Sequence, residues 1–194
     1  MTYLIAGLII FLGVHMTRVV GDNWRTATIA RIGDGGWKGA YSLLSAVGLG
    51  LIVWGFGVAR QTPEVLWTPP SWGRGVAAAL MLVSFVLLAG YHSRQSHLSV
   101  AVRHPMLAGV IVFSVAHLLA NNTLADVVLF GSFLLWSVVN YLSCLARDRR
   151  EGKRYPQPVW KKTIIAVVIG AVLWFVFAKW LHLWLIGVSP MARG

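Results

Sequence analysis

Of the six histidines in this chain, only His15 and His117 fall deep inside apolar stretches. An ionisable side chain within a membrane span is expensive and points to function. Neutral imidazole is a common haem and metal ligand. His15 lies about thirteen residues into the first apolar run and His117 about twelve into the fourth. At about 1.5 Å of rise per residue their depths differ by about 10 Å or less. Two such rings could approach opposite faces of one flat ligand, the arrangement of a haem with two axial histidines. His104 cannot serve beside His117, because thirteen residues of one helix hold them roughly 20 Å apart. Arg18 follows His15 by one turn on the same helix face. Arg103 and His104 open the fourth run on the same side, and guanidinium groups match the two haem propionates. The competing reading is structural: both histidines join helices by hydrogen bonds, Arg18 snorkels to the interface, and Arg103 is an ordinary loop charge. His182, between Trp180 and Trp184, suits the headgroup region. His92 and His97 sit among Ser93, Arg94, Gln95 and Ser96, which reads as a solvated loop.

Membrane helices must position these groups. The chain has 194 residues, 57% hydrophobic and only 12% charged, where a soluble domain carries about 25% charged residues. The apolar residues come in runs approaching or exceeding the roughly 20 needed to cross a bilayer. The runs are about Thr2 to Val20, Gly39 to Ala59, Gly75 to Tyr91, Met106 to Ala120, Leu124 to Leu145 and Thr163 to Ile186. They lack the alternation of barrel strands, so helices are expected, since lipid satisfies no backbone groups. Pro105 falls in the first turn of the fourth run, where its missing N–H is harmless. Thr123 with Asp126 three residues later reads as a capping box opening the fifth. Asp22 to Ile32 reads as a short interfacial helix.

The net charge of +11 would suggest nucleic acid in a soluble protein. Here the charge lies in loops between apolar runs, so topology and anionic lipid explain it and a nucleic-acid partner is not expected. The odd-numbered loops carry Arg25 and Arg31, then Arg94 and Arg103, then Arg147, Arg149, Arg150, Lys153, Arg154, Lys161 and Lys162. The even loops and the ends offer Arg60, Arg74 and Arg193, with Lys179 inside the last run. By the positive-inside rule the odd loops are cytoplasmic. The expected fold is therefore all-α: one domain, a polytopic bundle of about six transmembrane helices with both termini periplasmic. Cys144 is the single cysteine, which excludes an internal disulfide and a cysteine cluster. Gly48, Gly50, Gly55 and Gly57 make the second run smooth, as close helix packing requires. Asn140 and Ser143 are polar groups in the fifth run that could join helices or support a site.

The segments GLIIFLGVHMTR (Gly7 to Arg18), KGAYSLLSAVGL (Lys38 to Leu49), RHPMLAGVIVFSVAHLLANN (Arg103 to Asn122) and LFGSFLLW (within Leu124 to Trp136) resemble the NnrU family of bacterial membrane proteins. The resemblance covers the chain to about Asn140; the last span and the Arg147 to Arg154 loop match nothing in particular. It implies a protein of the bacterial inner membrane linked to nitrogen-oxide metabolism and denitrification. That family is similar to the plant 15-cis-zeta-carotene isomerase, a membrane enzyme that holds haem b by histidines. By position those histidines fall on His15 and His117. The resemblance thus implies a haem b protein, with redox, nitric-oxide-related or isomerase-like chemistry. A ferrous haem with one labile histidine could bind nitric oxide or a polyene. A second reading rests on Arg103 to Gly109, which is similar to the Arg-His-Pro-x-Tyr-x-Gly stretch of isoprenylcysteine carboxyl methyltransferases and implies S-adenosylmethionine. Leu107 replaces the tyrosine there, and Glu151 stands alone where paired glutamates are expected. A third reading is a non-catalytic accessory protein of a respiratory complex.

Overall fold

The computed structural model describes residues 1–190; Arg193, counted above with the terminal charges, lies outside the described residues. The helices are α1 (Thr2–Val20), α2 (Asp22–Ala59), α3 (Gly73–His92), α4 (His97–Val102), α5 (Pro105–Ala120), α6 (Leu124–Arg150) and α7 (Trp160–Val176). A π-helical turn at Phe177–Leu181 then leads into α8 (His182–Ile186). Among the described residues there is no strand, only an isolated bridge between Val65 and Thr123. Five helical stretches are long and apolar enough to cross a bilayer: α1, α2, α3, α6 and Trp160–Ile186. The apolar helix α5 has 16 residues, short of the roughly 20 that span a hydrocarbon core upright. Large apolar side chains on these helices stay uncovered by protein, with Ile9 69%, Leu135 68% and Trp160 69% exposed. Water would not tolerate so much apolar surface, whereas lipid requires it. This is an all-helical membrane protein.

The helix boundaries have local causes. Gly33 adopts φ 75°, ψ 164° inside α2, a conformation open essentially to glycine alone. It separates the Asp22-to-Ile32 segment from the long apolar stretch that follows. Pro105 occupies the first turn of α5. The capping box opens α6 as expected: Asp126 accepts from the Thr123 N–H (3.1 Å) and hydroxyl (2.6 Å), and the Asp126 N–H donates back to Thr123 Oγ1 (3.3 Å). The helix runs on past Leu145 to Arg150, so its charged last turn extends beyond the apolar part.

The chain forms two compact units. The first is Met1–Thr68 with Asn122–Trp136. In it α1 and α2 pack antiparallel at very short range. A Cβ on Gly55 would meet the backbone N of Leu4 at 2.3 Å, one on Gly7 that of Ile52 at 2.6 Å, and one on Gly48 that of Phe11 at 2.8 Å. Gly50 and Gly57 face open space, so only half of the small-residue pattern serves this contact. Leu4, Leu8, Ile52 and Ala125 form the buried core, flanked by Phe11, Phe56 and Phe133. The second unit is Pro69–Asn121 with the chain from Ser137 on. There α3 packs on α5 and α7. The Ser84 hydroxyl donates to the Gly109 carbonyl (2.8 Å), and Gly170 lies where a Cβ would come within 2.5 Å of Val86 Cα.

Candidate functional site

His15 and His117 share one local design. His15 Nδ1 lies 2.7 Å from the Phe11 carbonyl and His117 Nδ1 lies 2.9 Å from the Phe113 carbonyl, each four residues back on its own helix. A carbonyl oxygen can only accept, so Nδ1 carries the proton in both rings. The neutral ring then keeps its lone pair on Nε2, the tautomer a metal ion takes. Each ring also lies against the phenylalanine that holds it in a tilted pair, with centroids 4.3 Å apart in both cases and planes at 31° and 43°. The same Phe-x-x-x-His element thus occurs on α1 and on α5.

Their surroundings differ. In the first unit His15 is half-buried among aromatic rings, with Tyr41 at 5.1 Å and the Trp136 edge at 5.9 Å. Arg18 is exposed on the same helix. In the second unit His117 ends α5, where its carbonyl accepts from the Asn121 backbone N–H and side-chain amide, both at 2.9 Å. Its ring lines a cavity of about 480 Å³ with Phe85, Trp174, Phe177 and His182. Arg74 and Asn121 are the other strongly polar groups in that wall. The π-helical turn carries Phe177 and Ala178 to the cavity, and such turns often mark functional sites. His182 was expected to be only an interfacial ring. It lines the same cavity as His117, and its Nδ1–H donates to the Val188 carbonyl (2.6 Å).

Arg103 and His104 lie elsewhere in the second unit, at the opposite end of α5 from His117. Arg103 has φ 63°, ψ −46°, and the His104 N–H reaches the Val102 carbonyl at 2.6 Å. This is the rare positive-φ γ-turn, a strained conformation for a residue with a side chain. The Tyr141 hydroxyl donates to the same carbonyl (2.9 Å), and Pro105 restricts His104 from the other side. His104 Nε2 bonds Asp148 Oδ2 at 2.7 Å, and Lys153 Nζ meets Oδ1 at 3.2 Å. The Tyr155 hydroxyl donates to the same carboxylate. Asp148 lies beyond the apolar part of α6 and its side chain is 6% exposed. Burial alone would push its carboxyl up; hydrogen bonds from Tyr155, Lys153 and His104 outweigh that and hold it down at about 2. Burial and the bond to the Asp148 carboxylate push the Tyr155 phenol up to about 12. Arg103, His104, Lys153 and Tyr155 line a second cavity of about 380 Å³.

The structure therefore gathers Arg103 and His104 at one cavity and sets His117 at another, while His15 and Arg18 share α1. Among the described residues no three His, Cys, Asp or Glu side chains gather for a metal ion; a porphyrin iron needs only one or two imidazoles from protein. His97, expected in a solvated loop, is anchored. Its N–H donates to Thr163 Oγ1 (2.9 Å), its Nδ1 bonds the same oxygen (2.8 Å), and its ring lies 4.1 Å from that of Trp160.

Residues 3–190 match the family described as NnrU protein. The chain belongs to the NnrU family. The match extends past Asn140 to include the basic loop, α7 and α8, beyond the segments whose resemblance was expected. All the groups described above, both Phe-x-x-x-His elements included, thus lie inside the NnrU region. No curated protein and no solved structure matches this NnrU chain.

Proposed function

We propose that this NnrU protein is a haem b protein in which His15 and His117 ligate the iron through Nε2. The repeated Phe-x-x-x-His element carries the reading. On both helices a backbone carbonyl fixes the proton on Nδ1 and a phenylalanine ring packed against the imidazole limits its rotation. A histidine serving only to join two helices has no need of that tautomer, whereas an iron ligand does. The donor set suits haem, for which two neutral imidazoles suffice. Bound there, a haem would supply one-electron chemistry and, on displacement of one labile histidine, a binding position for a diatomic such as nitric oxide, in keeping with the nitrogen-oxide context that the resemblance implies. The protein orients the imidazoles, surrounds His15 with aromatic rings and supplies Arg18 for a propionate. Arg103 and His104 are left out of the haem site, because about 20 Å of helix separates them from His117. The topology proposed with this reading has six spans, α5 being the short one. It places the chain in the bacterial inner membrane with the odd loops cytoplasmic and both termini periplasmic.

A specific observation favours a second ligand pair. His117 and His182 line one cavity, and both carry Nδ1–H bonded to a carbonyl. Visible spectra of the protein from haem-replete cells, oxidised and dithionite-reduced, distinguish the two. If His15 and His117 ligate, His15→Ala and His117→Ala each shift or abolish the Soret and reduced α bands, and His182→Ala leaves them unchanged. Loss in His182→Ala with retention in His15→Ala establishes the second pair. A colourless wild-type protein overturns both.

A further inference from the structure

The cavity beside Arg103 is more basic than topology requires. The positive-inside rule accounts for cations in a loop. It does not account for their convergence from separate segments around one hollow, nor for backbone strain at its edge. Arg94 comes from the α3–α4 connection, Arg103 from the α4–α5 connection, and Lys153 and Arg154 from the loop after α6, and all four line the same 380 Å³ cavity.

The Asp148 carboxylate, bonded to His104, Lys153 and Tyr155 of the wall, cannot neutralise them. Asp148 directs one oxygen to Tyr155 and His104 and the other to Lys153. Among the described residues Arg94, Arg103 and Arg154 form no ion pair. The Arg103 guanidinium lies 5.6 Å from the Tyr155 ring, in the range of a cation–π contact. That ring is itself held by Asp148. A strained residue persists only where its surroundings over-determine it. The Arg103 turn is fixed by two bonds to the Val102 carbonyl and by His104 on Asp148. The strain thus holds a guanidinium at a set place on the cavity edge. Another part of the wall is apolar, formed by Pro105, Met106, Leu107 and Pro156.

We propose that this cavity binds a phosphate ester, its phosphate held by Arg94, Arg103 and Arg154 and its organic part against the apolar wall. Guanidinium forks match phosphate oxygens in pairs. A phosphate offers at least three acceptor oxygens, enough for several guanidiniums. The ester is either a soluble phosphate compound or an anionic phospholipid headgroup; both present the same group.

Cys144 lines the cavity and reports its occupancy. The rate of its alkylation by N-ethylmaleimide, a neutral reagent, is measured on the full chain in neutral detergent. The additions are pyrophosphate, glycerol phosphate, or micelles doped with phosphatidylglycerol against phosphatidylcholine. Native mass spectrometry of the same samples reads bound mass directly. At least one phosphate ligand slows the alkylation saturably in the wild type and appears as bound mass. Arg103→Gln and Arg154→Gln each require about tenfold more of it or worse, while Arg31→Gln, which does not line the cavity, behaves as wild type. Protection by pyrophosphate or glycerol phosphate identifies a soluble ligand; protection by phosphatidylglycerol alone identifies a lipid. Arg154 sits in an exposed loop, so its variant decides the matter if Arg103→Gln alters the fold. No bound mass with any of these ligands, or a loss for Arg31→Gln equal to that for the cavity variants, overturns the proposal.

Discussion

Replacing Asp148 by alanine removes the carboxylate that ties three segments of the second unit together. Its side chain is 6% exposed and accepts from His104 at the start of α5 and from Lys153 and Tyr155 in the following loop. Hydrogen bonds to a charged group contribute about 1.5–3 kcal/mol each. The Tyr155 and His104 bonds fall in that class. Lys153 is 47% exposed, so its share is discounted to about 1 kcal/mol or less. These terms are not additive, and breaking a buried pair from one side costs about 3–5 kcal/mol. For a chain of this size that corresponds to a fall in melting temperature of roughly 10 °C. Cys144 lies within hydrogen-bonding distance of Arg147 in the same region (3.2 Å), so a thiol-reactive dye that fluoresces on reaction with Cys144 follows the unfolding in detergent. Asp148→Asn keeps the shape and one acceptor and should lose about half as much. A melting temperature for Asp148→Ala within about 1 °C of wild type would refute the role given to this carboxylate.

Other consequences are checked by similar means. The Asp148 carboxyl is held at about 2 against an ordinary value of 3.8, so its contribution is complete above about pH 4 and is lost as pH falls toward 2. The stability gap between wild type and Asp148→Asn should therefore be level near neutrality and shrink in acid; a gap that widens in acid contradicts the sign. The Tyr155 phenol is raised from 10.0 to about 12, so its neutral, donating form stabilises fully below pH 10 and that contribution disappears as pH rises through 12. Wild type should lose stability over that alkaline window more than Tyr155→Phe does, as melting curves at graded pH would reveal. Gly55→Ala drives a Cβ into the Leu4 backbone and should cost about 1–3 kcal/mol, whereas Gly57→Ala, facing open space, should be neutral or mildly stabilising. Equal effects at the two positions in a detergent melting assay would contradict the α1–α2 contact.

Much of the fold was legible because lipid leaves few options. The bounds of α1 were readable, since the largely apolar run from about Thr2 ends at Gly21-Asp22. Pro105 and the Thr123–Asp126 pair announced the starts of α5 and α6 by local chemistry alone. The end of α6 was not legible from hydropathy: Arg147, Arg149 and Arg150 look like loop, yet arginine is a good helix former and the helix continues through them. The two deep histidines stood out by their cost in lipid. Their common Phe-x-x-x-His element was present in the sequence as FLGVH and FSVAH, and comparing the residues one turn before each would have revealed it. Asp148 was hidden among arginines, because nothing local says that its partners are His104, far back in the chain, and Tyr155. His182 gained its place beside His117 only through the packing of α7 against α3 and the π-helical turn, which no periodicity announces.

Haem stoichiometry across histidine variants bears most directly on the proposed function. The protein is purified from haem-replete cells, and pyridine haemochrome absorbance is divided by chain concentration for wild type, His15→Ala, His117→Ala and His182→Ala. The expected result is about one haem b per wild-type chain, unchanged in His182→Ala and falling several-fold in His15→Ala and in His117→Ala, with folding of each variant checked by Cys144 melting. Wild-type protein that is folded and colourless, or pigment retained in full by both His15→Ala and His117→Ala, would contradict it.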